Sequence, residues 1–247
     1  MERDRLIEHY QKIYENQKRD FRNNNLRKTV LKEIKRKGAV LDIGCGTGHF
    51  TLNMLEDGMD VTAIDTLQEM VDFTTLTTKK YGSKVKTARM DAEDLSREFK
   101  PLTFDNILLI DVLEHIKDDE QLLQDLHSLL RENGELIIVV PAYQWCYGVR
   151  DKEIGHFRRY DKKDIVSKLI KNGFVIKKAR YWNLISLLPY IVFEKILNKR
   201  PNEEFRYKEK QSLLYRIVCR MLDMWFMLIE NRFSFGCGLS LLLVVKK

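Results

Sequence analysis

The 247-residue chain has only four cysteines, Cys45, Cys146, Cys219 and Cys237, and no two of them form a CxxC pair. That scatter supports neither a disulfide framework nor a cysteine-ligated zinc site, and no metal site is predicted. No stretch reaches the roughly 18 apolar residues needed to span a bilayer. The first twenty residues, MERDRLIEHYQKIYENQKRD, are charged throughout and lack the apolar run of a secretory signal. Internal repeats and low-complexity linkers are absent as well. These absences together predict an intracellular globular protein. With 44% hydrophobic and 32% charged residues, the chain is too apolar for a disordered protein and long enough for a sizeable core.

The charge that is present is unevenly placed. The formal net is +7. Residues 39–142 hold 9 Lys and Arg against 20 Asp and Glu, a local net of −11, and the flanks 1–38 and 143–247 carry the balancing +18. An acidic centre suits a cationic or neutral ligand, and basic flanks suit an anionic partner. Chance segregation of solvated charges is the competing reading.

Residues 2–37 carry apolar positions at helical spacing, Tyr10, Ile13 and Tyr14 among them, and predict one or two helices. The pattern then alternates. Strands are expected at 39–43, 60–65, 85–90, 104–110, 135–141 and 174–182, with helices near 49–57, 67–81, 118–132 and 161–172. Asn133-Gly134 is read as the C-terminal cap of the third of these helices. The central strands are continuous apolar runs, which argues for a mostly parallel sheet covered on both faces. Residues 239–247 read as a closing strand. If it pairs beside the sixth strand, roughly 55 residues are inserted before it.

The first strand runs into VLDIGCGTGHF. Glycine has no side chain to obstruct a ligand, and a strand, glycine turn and helix start form the nucleotide-cofactor site of doubly wound folds. A carboxylate is expected about 20 residues on, at the end of the second strand, and Asp65 stands there. The loop is Gly44-x-Gly46-x-Gly48 followed by His49, which departs from the Gly-x-Gly-x-x-Gly dinucleotide fingerprint. A nicotinamide or flavin cofactor therefore fits less well.

These residues carry a resemblance. VLDIGCGTGHF, DVTAID, ARMDAEDL, FDNILLIDVLEHI and ENGELIIVVP occur in order over residues 38–142 and resemble the motifs of class I S-adenosylmethionine-dependent methyltransferases. The resemblance implies a Rossmann-like, doubly wound, seven-stranded α/β sheet with an N-terminal helical cap and a helical insertion before the last strand. It implies S-adenosylmethionine as cofactor and S-adenosylhomocysteine as product. Gly44, Gly46 and Gly48 would let the backbone approach the methionine part, with Cys45 inside the loop. Asp65 would accept both ribose hydroxyls, followed by Thr66. Leu67 and Met70 would flank the adenine ring, and Asp91 would accept from its amino group beside Ala92 and Glu93. Asp111, with Val112, would lie near the amino group or sulfonium. Asp42 would either join this acidic pocket or only brace the loop amides. A cationic sulfonium and ammonium suit such a pocket, whereas the phosphates of a dinucleotide would be repelled.

Methyl transfer to a hydroxyl benefits from a general base, usually His near neutral pH. His115, in Asp111-Val-Leu-Glu-His115, is one candidate; bonding a backbone carbonyl is its alternative role. The other is His156, in a segment running from Pro141 to Tyr160. Tyr143, Trp145, Tyr147, His156, Arg158, Arg159 and Tyr160 are the expected substrate-binding residues, because Arg forks onto phosphate or carboxylate. Their alternative role is to pin the loop to the sheet edge. GHFRRY is similar to a segment of a bacterial branch associated with surface-polysaccharide and lipid-linked glycan pathways.

The expected organisation is a cap at 1–37, a cofactor-binding core at 38–182, an insertion at 183–238 and the final strand at 239–247. The apolar insertion reads as a lid, a surface resting on a membrane, or a dimer interface. Trp182, Tyr190, Trp225 and Phe226 interleave with Lys195, Lys199, Arg200, Arg216 and Arg220, which suits an interfacial helix pair on anionic lipid. No RNA-binding module is recognised. The expected reaction is methyl transfer to an oxygen, rather than nitrogen or carbon, of an anionic or amphipathic small-molecule, glycan or lipid-linked acceptor. The chain is read as a cytoplasmic monomer or homodimer, extending to peripheral contact at the inner face of a membrane. A non-catalytic cofactor-binding subunit and a nicotinamide-dependent oxidoreductase are the alternatives.

Overall fold

The computed structural model describes residues 2–197 and 213–247, with the side chains from residue 8 onward. The expectations placed on Lys199 and Arg200 lie outside the described residues. One sheet holds β1 (Ala39–Ile43), β2 (Asp60–Asp65), β3 (Val85–Arg89), β4 (Phe104–Ile110), β5 (Leu130–Pro141), β6 (Val175–Trp182) and β7 (Ser240–Lys246). The strand order is β3-β2-β1-β4-β5-β7-β6. Only β7 runs against its neighbours, β5 and β6. The closing strand therefore does lie beside the sixth, and the chain leaves the sheet between them.

The helices are α1 (Glu2–Arg19), α2 (Phe21–Leu31), α3 (His49–Glu56), α4 (Gln68–Thr78), α5 (Leu95–Glu98), α6 (Asp119–Leu129), α7 (Val149–Glu153), α8 (Lys162–Lys171), α9 (Leu187–Tyr190) and α10 (Leu213–Trp225). α9 widens into a π-helix over Ile191–Ile196, and α10 into another over Phe226–Glu230. Asp20 separates α1 from α2, because its carboxylate accepts from the amides of Arg22 and Asn23 and so caps the second helix.

Successive strand residues point to opposite faces, so each central strand feeds two cores. Leu41, Ile107, Leu109, Ile138 and Leu243 pack with α6 and α8 through Leu122, Leu126, Ile165 and Leu169. Val40, Leu108, Ile137, Val139 and Leu242 pack on the other face with Leu26, Met54, Trp182 and Phe226. Full burial of each such side chain is worth about 1.5–3 kcal/mol. The end of the insertion thus belongs to the second core. This corrects the interfacial reading of its aromatics: Trp182, Tyr190 and Phe226 are buried, because they join the insertion to the sheet.

The Asn133-Gly134 cap is also corrected. α6 ends at Leu129, and Leu130 already pairs with Phe104 in the sheet. Burial of Leu130 ends the helix early. Asn133 (φ 65°) and Gly134 instead sit in an irregular stretch of β5 that restores register at Asn106–Glu135. A Cβ on Gly134 would come 2.8 Å from the Arg131 carbonyl oxygen.

β1 and β4 are neighbours while the chain passes outward from them in opposite directions. Ligands of open α/β sheets bind outside the strand carboxyl ends at such a point.

Candidate active site

The turn after β1 has all three glycines at positive φ: Gly44 at 71°, Gly46 at 53° and Gly48 at 77°. Only glycine occupies that region without strain. The Gly44 and Cys45 amides donate to the Ile64 carbonyl, each at 2.9 Å. A Cβ on Gly44 would meet Val112 Cγ2 at 2.5 Å, and one on Gly48 would meet Thr74 at 2.9 Å. Gly46 has open space where its Cβ would be. The loop is therefore closed against the protein at two glycines and open at the middle one.

Asp65 holds this shape. Its Oδ2 accepts from the Gly46 amide at 2.9 Å and its Oδ1 from the Leu67 amide at 3.0 Å. Asp42 is buried beneath the loop and accepts from the Thr51 hydroxyl at 2.6 Å, so it braces α3 through that hydroxyl. Burial, followed by the nearby Asp65 charge, pushes its carboxyl up to about 6. The buried Cys45 thiol faces Thr74 and is pushed up by the same burial.

The predicted carboxylates stand in a row along the carboxyl edge. Met90 donates its amide to the Asp65 carbonyl at 3.0 Å, which places Asp91 beside Asp65. Asp91 is exposed and caps the following turn through the Glu93 amide at 3.1 Å, with Ala92 buried. Thr66, Leu67 and Glu93 are exposed and Met70 is half-buried. Asp111 follows β4 at φ 53°, a conformation that Asp tolerates, and is exposed beside the half-buried Val112. α1 lies over the loop: Tyr14 stacks on His49 with centroids 4.0 Å apart, and Gln17 accepts from Thr47 at 2.7 Å. His49 is held neutral, because burial and the Arg27 charge lower its pKa to about 4.

A cavity of about 690 Å³ opens beside Asp111. Its walls include Phe21 of α2, Pro141 at the end of β5, Ile185 and Phe193 of the insertion and Leu222 of α10. Beneath it lies a charged knot around the fully buried Asp151. That carboxylate accepts from His156 Nδ1 at 2.8 Å, Arg159 Nε at 2.8 Å, the Tyr190 hydroxyl at 3.2 Å and the Gly148 amide at 3.0 Å. Burial alone would raise its pKa, but the bonds from His156 and Arg159 outweigh it and hold the carboxyl well below the usual range. His156 Nε2 lies 3.7 Å from Glu114 Oε1. Burial and the Asp111 charge push the Glu114 carboxyl well above the usual range, and its Oε2 has no hydrogen-bond partner among the described residues. The His115 ring packs edge-on against His156, 4.6 Å between centroids. Ligand atoms of Glu114, His115 and His156 lie within 4.8 Å of one another, a spacing that would admit a metal ion.

Of the predicted acceptor and catalytic residues, His156 and Arg159 line the cavity. Arg159 is buried, its Nε spent on Asp151 and its Nη2 on the Tyr190 hydroxyl at 2.5 Å. Arg158 pairs with Asp119 at 3.0 Å, and the Tyr160 hydroxyl donates to the same carboxylate at 2.8 Å. Tyr147 donates to the His156 carbonyl at 2.8 Å, Tyr143 stacks on Tyr181, and Trp145 is exposed. For Arg158, Tyr147 and Tyr160 the geometry matches the pinning role. The sequence reading does not single out Asp151, and it takes Tyr190 for an interfacial aromatic rather than a partner of Arg159 and Asp151. An acid eight residues before Arg159 was visible, but the fold alone brings Tyr190 to the same carboxylate.

Against known proteins, residues 10–185 match a family model described as a methyltransferase domain. Ubiquinone biosynthesis O-methyltransferase of Xanthomonas euvesicatoria pv. vesicatoria (strain 85-10) is 35% identical over 99 residues, which are 40% of this chain and 41% of that protein. The chain thus spans less than half the length of that curated relative. A SAM dependent methyltransferase from Archaeoglobus fulgidus superposes with TM-score 0.56 at 19% identity, covering 88% of this chain and 89% of that one. The [4+2]-cyclase SpnF superposes with TM-score 0.61 at 17% identity, covering 91% and 81%. The chain belongs to the methyltransferase domain family and has the class I S-adenosylmethionine-dependent methyltransferase fold. A cyclase shares that fold, so the fold by itself does not set the reaction.

Proposed function

We propose that the chain transfers a methyl group from S-adenosylmethionine to an oxygen of an amphipathic acceptor seated in the cavity, leaving S-adenosylhomocysteine. The observation that carries this reading is the meeting of two unlike sites at Asp111. On one side lies an edge of carboxylates around an open glycine, and on the other a largely apolar cavity. The edge spans β3 to β4, about 14 Å at three strand spacings, and suits an elongated cationic ligand.

The residues fit the cofactor. Gly46 offers bare backbone, and each Asp65 oxygen retains a lone pair for a ribose hydroxyl beyond its amide bond. Asp91 and the Ala92 amide would meet the adenine, with Leu67 and Met70 against its ring and Thr66 and Glu93 at the rim. Asp111 and Val112 would border the methionine end, while Asp42 and Cys45 support the loop from below. When bound, the cofactor supplies an electrophilic methyl on a sulfonium. His156 then takes the acceptor's proton: Asp151 fixes the proton on Nδ1 and leaves Nε2 as the base. His115 supports the His156 ring, and Arg159 stiffens the cavity floor. The name of the Xanthomonas relative gives oxygen as the methylated atom. Small-molecule, glycan and lipid-linked acceptors all satisfy this chemistry. The apolar walls favour one with an apolar part, and with it a cytoplasmic protein touching the inner face of a membrane.

Two measurements test the reading. Calorimetry should show binding of S-adenosylmethionine and none of NAD. Labelled methyl should pass from the cofactor into the lipid or glycan fraction of a cell extract, and His156→Gln should lower that label with cofactor affinity unchanged. Binding without any label would point to a non-catalytic subunit, and an equal loss of cofactor affinity in the variant would move His156 to the cofactor pocket.

A further inference from the structure

Among the described residues, α10 of the insertion presents a face that the fold does not use. No residue of α10 is buried. At 100° per residue, Leu213, Leu214, Ile217, Met221, Met224 and Leu228 fall on one side of the helix and its continuation. Their exposures run from 73% at Leu213 and 65% at Met221 to 40% at Leu228. Arg216 and Arg220 flank this stripe on one edge, exposed and without a hydrogen-bond or ion-pair partner among the described residues. The acids of the same helix turn inward. Asp223 accepts from Asn25 of α2 at 2.6 Å, and Glu230 accepts from the Leu184 amide and the Trp225 indole. The outward face is therefore apolar and purely cationic.

We propose that this face docks the protein in the plane of an anionic phospholipid bilayer. Aliphatic side chains on one face with arginines at the margin match the boundary between acyl chains and phosphate headgroups. Among the described residues no helix is long and apolar enough to cross a membrane, so the contact lies in the plane. The chain's own segment 198–212, NKRPNEEFRYKEKQS, offers Pro201, Phe205 and Tyr207 but no Leu, Ile, Val or Met to cover the stripe. The same helix supplies Leu222 to the cavity wall, beside Phe193 of the other insertion helix. Resting on the reading of that cavity as the acceptor site, the docked face would let a membrane-held acceptor enter without crossing water.

The test uses the full chain in flotation with vesicles of phosphatidylglycerol and phosphatidylcholine in equal parts, against phosphatidylcholine alone. The expected result is binding to the anionic vesicles that weakens as salt is raised. Ile217→Ser with Met221→Ser should lower the bound fraction tenfold or more. Arg216→Gln with Arg220→Gln should lower it about tenfold on anionic vesicles and leave neutral ones unchanged. All four positions are exposed, and both variants should keep the wild-type melting temperature and S-adenosylmethionine affinity. Failure of the wild type to float, or equal flotation of the variants, overturns the proposal. So does a dimer in sedimentation that Ile217→Ser with Met221→Ser dissociates while no vesicle binding is seen. Cofactor binding without flotation removes the docking face alone, and flotation without cofactor binding removes the methyl-transfer reading instead.

Discussion

Replacing Asp151 by alanine strands four donors at once. The carboxylate is buried and receives His156, Arg159, Tyr190 and the Gly148 amide. Arg159 is buried too, so the variant leaves a guanidinium out of water without its counterion. Breaking one side of such a pair costs about 3–5 kcal/mol. Against a total stability of about 5–15 kcal/mol this is a large share, and it corresponds to a fall in Tm of roughly 10 °C for a chain of this size. Urea unfolding of the wild type, Asp151→Ala, Arg159→Met and the double variant gives the coupling directly. The double variant should recover much of the loss, because it leaves no lone charge. The depressed pKa of Asp151 adds a pH signature. Its stabilising effect is present above the unfolded value near 4 and is lost as pH falls below it, so wild type and Asp151→Ala should converge in acid. If Arg159→Met costs under about 1 kcal/mol and shows no coupling to Asp151, the knot is not structural and Arg159 returns to the substrate.

Asp65→Ala should weaken S-adenosylmethionine binding by about 1.5–3 kcal/mol in calorimetry, the cost of a lost hydrogen bond to a charged group; unchanged affinity would remove Asp65 from the site. Gly44→Ala and Gly46→Ala both place a side chain at positive φ, but only the first meets Val112 at 2.5 Å. Thermal melting should therefore show Gly44→Ala as clearly the less stable, and equal values would mean that the contact is absent. Asp42, raised to about 6 by burial, favours the neutral form when folded. Without ligand, wild type should lose about 3 kcal/mol relative to Asp42→Asn as pH rises from 4 through 6 to 7, with no difference between the two in slope above that.

The glycine turn and its carboxylates were legible because each acts close to home. Three glycines within five residues need nothing distant to demand positive φ, and Asp65 lies at the end of the next strand, whose neighbour is β1 itself. The acceptor side was less legible. His156, Arg158, Arg159 and Tyr160 share one short segment, yet two of them reach the cavity wall and two reach Asp119. Nothing in GHFRRY separates them, since the division follows from how the segment crosses between α6 and the insertion.

The insertion makes the same point on a larger scale. Read as a string, α10 and its continuation are apolar on nearly all sides, and periodicity does not say which side meets the sheet. Tertiary structure decided it: Phe226 and Trp182 fill the second core, while Asn25 and the Leu184 amide draw Asp223 and Glu230 inward. What remains outside is the stripe of Leu213, Ile217 and Met221, and not the aromatics that composition favoured. The sequence by itself determined the alternation of strands and helices, the cofactor turn and the acidic edge, because hydrophobic period and glycine conformation are local properties. Which polar groups are buried together, and which apolar face is left to a partner, depend on contacts between residues up to some 200 positions apart. Only the folded chain brings those residues within reach.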